Sequence, residues 1–203
     1  ITIGTLFTKG IYDASRIVSV GGNKVDNPAY VRTKMGCSIE DILKHFELSD
    51  LKNTRIISGD VLSGVKVEKE NFLGVFDDQI SLIQEGDYYE PFGWLIPQKM
   101  RPSLSRTFPN FLFPNVKFEA DSNTHGERRA FVVSGQYEEV LPMDIYPQQL
   151  MKAILTNDFE KMEGLGIREL VEEDVALCEF VCTSKMPLQK ILREGLDEVQ
   201  AQG

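Results

Sequence analysis

The chain has 203 residues, 42% hydrophobic, 26% charged and 9% aromatic, with 22 basic against 31 acidic side chains and a formal charge of −9. That length suits one or two small domains, and the apolar content lies far from the composition of chains that stay disordered. The apolar runs are only a few residues long, against the ~20 needed to span a bilayer, and the negative charge weighs against nucleic acid or direct electrostatic docking on anionic lipid.

Cys37, Cys178 and Cys182 are an odd number of thiols, which argues against a disulfide framework and for a reducing compartment, the cytoplasm. The sequence opens at Ile1 with no initiator Met and no signal peptide, and it reads as a fragment of a longer protein.

In chain order, residues 1–26 predict two strands, Thr5 to Thr8 and Arg16 to Val20, which finish a sheet begun in a preceding domain. Residues 27–70 predict a compact α+β unit. Tyr30 to Thr33 is extended, and Met35-Gly36-Cys37 turns. Ser38 then caps a helix with Asp41 at its third position, and Ile39, Ile42, Leu43 and Phe46 share one face. Arg55 to Ser58 is an apolar strand running into a glycine turn, closed by Gly64. Residues 71–145 read as mostly β with long loops, Ile80 to Ile83 and Ala130 to Val133 being core strands and Gly135 to Val140 the start of an exposed one. Residues 146–203 read as a helical domain. Pro147 stands near its first start, Leu150, Ile154 and Leu155 share a face, and further helices cover Glu172 to Val181 and Leu188 to Val199. Charge is uneven: between Gln98 and Phe118 the only charged residues are Lys99, Arg101, Arg106 and Lys117, whereas from Asp158 to Glu179 eight acids face Lys161 and Arg168.

Gly59 to Lys66 has two glycines separated by four residues, as in a phosphate-cradling loop. The lysine falls one position late and Val67 replaces the Ser or Thr that would reach a metal. We read Gly59 and Gly64 as shaping a turn, with close backbone approach to a ligand or partner as a second use. Cys178 and Cys182 have the spacing that ends an iron–sulfur run, yet Glu172 and Val175 stand where the first two cysteines belong. A zinc site from Cys37, His45, Cys178 and Cys182 has the right number of ligands but scattered spacing. Two thiols four apart on a helix more simply pack as small apolar groups. His45 reads as a helix C-terminal dipole partner and His125 as a loop residue. With neither GxSxG nor HExxH present, catalysis by this chain alone is not expected. Eight of the nineteen aromatics, among them Phe92, Trp94 and Phe108, lie between Tyr88 and Phe118, interleaved with the basic residues. Aromatic plus arginine composition is that of an interface hot spot, the alternatives being a filled β core and, weakest in view of the −9 charge and the acidic tail, nucleic-acid stacking.

Val31-Arg32-Thr33, Met35-Gly36-Cys37-Ser38-Ile39-Glu40-Asp41-Ile42-Leu43 and Arg55-Ile56-Ile57-Ser58-Gly59 together resemble the soluble-ligand-binding β-grasp (ubiquitin-like, SLBB) module of respiratory redox complexes. Phe92-Gly93-Trp94-Leu95-Ile96-Pro97, Arg106-Thr107-Phe108, Leu141-Pro142-Met143-Asp144-Ile145 and the stretch from Glu172 to Cys182 leading to Leu192 to Asp197 narrow it. The whole chain resembles the C-terminal portion of the A-subunit family of the sodium-translocating NADH:quinone oxidoreductases. The resemblance implies a peripheral subunit on the cytoplasmic face of a bacterial inner membrane, with NADH, flavins and a [2Fe-2S] centre on other subunits and no cofactor bound here. It implies other subunits, membrane subunits included, as partners, and ubiquinone as a ligand. On it we assign Phe92, Trp94, Arg106 and Phe108 to quinone or subunit contact. The expected fold is α+β: a β-grasp module, a mostly β segment and a C-terminal helical domain. The alternative is a free-standing β-grasp ligand-binding or adapter module.

Overall fold

The computed structural model describes residues 2–48, 51–89, 121–126 and 129–202. They fall into two compact units, the first from 2–88 and 121–123, the second from 89, 124–126 and 129–202. The architecture is mixed α and β, with one five-stranded sheet followed by C-terminal helices.

In the first unit, helix α1 (Thr2–Lys9) precedes strands β1 (Ser15–Gly21) and β2 (Ala29–Lys34), helix α2 (Ile39–Leu43), a 3-10 turn (Leu51–Asn53), and strands β3 (Thr54–Ser58), β4 (Val65–Val67) and β5 (Gln79–Gln84). The sheet order is β2-β1-β5-β3-β4. β1 and β5 run parallel at its centre, and the remaining neighbours are antiparallel. Alternation along the strands decides what each face holds. Val18, Val20, Ile56, Ile80 and Leu82 point to one face and bury against Ile39, Ile42 and Leu43 of α2. Ser38 caps α2 as expected, its Oγ accepting the Asp41 N–H at 3.4 Å.

Two expectations for residues 1–26 change. Thr5 to Thr8 lies in α1 instead of a strand, because Ile3, Leu6 and Phe7 have helical spacing and Gly10, at φ +66°, ends the helix by donating its N–H to Leu6 O at 2.9 Å. The second strand, expected to finish a preceding sheet, is β1, and it pairs inside this one.

The second unit contains α3 (Pro147–Leu155), α4 (Phe159–Gly164), two 3-10 turns (Ile167–Glu169 and Glu172–Val175), α5 (Ala176–Val181) and α6 (Leu188–Gln202). Tyr137, Leu150, Met151, Met162, Ile167 and Leu192 are buried at its centre. Ala130 to Val133 is not a strand. Its backbone is satisfied by side chains instead of a ladder: Gln148, 1% exposed, donates through Nε2 to Val132 O and accepts the Ser134 N–H at 3.2 Å, and Ser184 Oγ accepts the Val132 N–H at 3.3 Å. Gly135 to Val140, expected as an exposed strand, is a turn with Gly135 at φ +71°, and it buries Tyr137. Leu150 and Ile154 do share the buried face of α3, whereas Leu155, a further 100° round, is 50% exposed. Among the described residues no helix is long and apolar enough to cross a membrane.

Candidate functional site

The turn between β3 and β4 is held by Asp60. Its Oδ1 accepts the N–H groups of Leu62 (2.6 Å) and Ser63 (2.9 Å), Ser63 Oγ donates to Oδ2 at 2.7 Å, and the Gly64 N–H returns to Asp60 O at 3.0 Å. Burial pulls the Asp60 carboxyl upward, but these hydrogen bonds outweigh it and hold the group below its ordinary range. Gly59 sits at φ +98°, a region that costs other residues strain. A Cβ on Gly64 would stand 2.4 Å from Asp60 O and 2.5 Å from Ile57 Cγ2, so both glycines are required by the turn. β4 follows Gly64 directly. The helix N-terminus that a phosphate-cradling loop needs is therefore not there.

On the sheet face away from α2, Ser19, Tyr30, Gln79 and Ser81 share one side by register. With Gly21 and with Val61 of the Asp60 turn they line a pocket of about 290 Å³. Ser81, 2% exposed, donates to Gly59 O at 2.8 Å and accepts from Gln79 Nε2 at 2.8 Å, which fixes the turn against the pocket floor. The lining side chains are uncharged, so the pocket offers shape and a few hydrogen-bonding groups but no charge to a ligand. This face is not among those singled out from the sequence; the alternation of polar Gln79 and Ser81 with apolar Ile80 and Leu82 is the signal that could have found it.

A second constellation had no local signal. Glu85, immediately after β5, accepts from Arg55 (Nη2 2.7 Å, Nε 3.1 Å), Lys66 Nζ (3.0 Å) and Ser122 Oγ (2.7 Å). The Arg55 hydrogen bond, opposed by partial burial and helped by Ser122 and Lys66, holds its carboxyl at about 2. Ser122 Oγ also accepts the Gly86 N–H at 2.8 Å, and Asn123 Nδ2 donates to Gly86 O and Tyr88 O. Residues 85–88 and 121–123 are thus clasped together.

Cys178 and Cys182 both lie in the second core. Cys182 Sγ and the Tyr137 hydroxyl share a hydrogen bond of 2.8 Å, and burial pushes the Cys178 thiol up to about 11. Such thiols are poor nucleophiles and poor metal ligands. Cys37 and His45 belong to the first unit and Cys178 and Cys182 to the second, and no group of three His, Cys, Asp or Glu suited to a metal occurs among the described residues. His45 is exposed just beyond α2, and His125 sits in a loop at φ +53°. Of the residues assigned from the sequence, Gly59 and Gly64 meet at the turn, a Cβ on Gly59 standing 3.1 Å from Gly64 Cα. Phe92, Trp94, Arg106 and Phe108 lie outside the described residues.

Residues 17–69 match the family model described as the NQRA C-terminal domain. The chain is 39% identical to the A subunit of the Na(+)-translocating NADH-quinone reductase of Rhodopirellula baltica, over all of this chain and 44% of that protein. It is 40% identical to the subunit of the same name in Shewanella frigidimarina, over 46% of that protein, and 41% identical to that of Serratia proteamaculans, over 45%. The chain thus spans a little under half the length of these relatives. Along its whole length it is similar to the A subunits of the Na(+)-translocating NADH-quinone reductases, and within it residues 17–69 are similar to the C-terminal domain of those subunits.

Proposed function

We propose that the chain is part of the peripheral A subunit of a sodium-pumping NADH:ubiquinone oxidoreductase, docked on other subunits at the cytoplasmic face of a bacterial inner membrane. The observation that carries this is identity near 40% over an alignment that spans the whole chain. Hydride transfer from NADH, flavin and [2Fe-2S] chemistry and sodium passage then fall to other subunits, and this chain supplies a scaffold. The sheet order, with parallel β1 and β5 between antiparallel neighbours and α2 packed on one face, supports a β-grasp reading of the first unit. Deleting the chain from the host protein is expected to abolish sodium-stimulated NADH:ubiquinone reduction by membranes, and restoring it to recover the rate. Full activity after deletion overturns the reading.

Within it, Phe92, Trp94, Arg106 and Phe108 are proposed to contact quinone, on the strength of their aromatic and cationic chemistry. Trp94 is the single tryptophan. Titration with a short-chain ubiquinone, corrected for inner-filter absorption, is expected to quench its emission saturably and more weakly in Arg106→Ala. A linear, non-saturating response places quinone contact elsewhere. The uncharged pocket beside the Asp60 turn favours a second use, a neutral small ligand held by a β-grasp module acting on its own.

A further inference from the structure

The loop between β4 and β5 carries Phe72 (67% exposed), Val75 (55%) and Phe76 (99%) into solvent. Single exposed apolar residues need no explanation. Three on one short loop, in a loop anchored on both flanks, are a different matter. Asn71 O accepts the Ile39 N–H at 3.1 Å, and the buried Leu73 donates its N–H to Cys37 O at 3.0 Å. On the other flank Ser58, 3% exposed, accepts the Gly74 N–H at 3.0 Å and donates to the Asp77 carboxylate, while the Asp77 N–H returns to Gly74 O at 3.1 Å. A Cβ on Gly74 would lie 2.3 Å from Asp77 Oδ2. The buried Ser58, the Asp77 carboxylate and a glycine with little room for a Cβ therefore hold a segment whose aromatic ring at Phe76 is 99% exposed. A side chain presented so rigidly loses little freedom when a partner covers it.

Charge decides what that partner is. Residues 68–78 contain Glu68, Glu70, Asp77 and Asp78 against Lys69, and Lys69 is engaged with Glu40 at 3.4 Å. Asp60 adds a further exposed carboxylate, following Gly59, where a Cβ would stand 3.5 Å from Asp77 Oδ1. Such a rim repels anionic lipid and matches cations. We propose that the Phe72–Phe76 loop docks into an apolar cleft rimmed by lysine and arginine on another protein of the complex. The inference rests on the subunit reading above, and cytoplasmic loops of membrane subunits have the required excess of Lys and Arg.

Hydroxyl-radical footprinting of Phe76 in the purified complex and in the full-length A subunit dissociated from it tests this. Phe76 is expected to be oxidised at least about fivefold more slowly in the complex. Phe76→Asp is expected to lower retention of the A subunit in the complex about tenfold or more, as for a central hot spot, with the circular dichroism of the dissociated protein unchanged. Equal oxidation in both samples overturns the proposal, and so does protection already present in the dissociated protein, which would mean that its own chain covers the loop. Failure of the wild-type A subunit to purify with any complex overturns the subunit reading and this inference with it, a result distinct from normal retention with an unprotected Phe76.

Discussion

Glu85 is the residue whose removal should be felt most widely, because one carboxylate satisfies Arg55, Lys66 and Ser122 at once. Its side chain is 21% exposed, so the pairs are neither fully screened nor fully desolvated. Glu85→Gln is expected to cost about 2 kcal/mol at neutral pH, the scale of a hydrogen-bonded charge losing its partners. The carboxyl is depressed from its ordinary 4.5 to about 2. Its stabilisation is therefore complete above 4.5 and is lost as pH falls from there towards 2. Urea unfolding of wild type and variant should show a larger difference at neutral pH than at about pH 3, inside that window, and equal differences would mean that the charge is not what matters. The thiols make the opposite case. Cys178 is buried and pushed up to about 11 by desolvation with help from the Glu138 charge, whereas Cys37 is only half-buried. A chromogenic disulfide at neutral pH should titrate Cys37 well before the other two, and three thiols reacting together would show that the second core is open.

At the scale of elements, the Asp60 turn separates two reasons for glycine. Gly64→Ala would drive a methyl against backbone oxygens of Asp60 (2.4 Å) and Ser58 (2.7 Å), which cannot yield as a flexible side chain can. Gly59→Ala meets nothing nearer than 3.1 Å and suffers mainly from its φ of +98°. The first should cost about 3 kcal/mol and the second about 1–2 kcal/mol in chemical unfolding, and the reverse order would mean that the β3–β4 turn relaxes freely. Both glycines were legible because turn chemistry is local, and so was α2, whose cap, acidic first turn and apolar face lie within a few consecutive residues. The strand misread at Ala130 to Val133 has the same β-branched composition as a real one, but Gln148 and Ser184, 16 and 52 residues from Val132, take its backbone hydrogen bonds. Glu85 escaped for the same reason: its partners Arg55 and Ser122 are 30 and 37 residues away, and composition records neighbours in sequence only.

For the whole molecule the deciding matter is whether its charge lets it approach a membrane unaided. Residues 124–203 hold fifteen acidic and eight basic side chains, a balance of −7 out of the chain's −9, while the four charges between Gln98 and Phe118 are all positive. Screening over roughly 8 Å at physiological salt means that remote acids cannot cancel a basic stretch held against a bilayer. The stretch has to be judged on its own. At about 1 kcal/mol per cation near anionic lipid, four cations give about 4 kcal/mol, a binding constant on the order of 10³ M⁻¹, which is marginal before any repulsion from the rest of the chain. The chain is therefore expected to stay in the supernatant when phosphatidylglycerol-containing vesicles at submillimolar lipid are pelleted at physiological salt, and to reach a membrane only through protein partners. Co-sedimentation that persists at that salt would require apolar insertion, with the exposed Ile3, Leu6 and Phe7 of α1 the first residues to replace by serine.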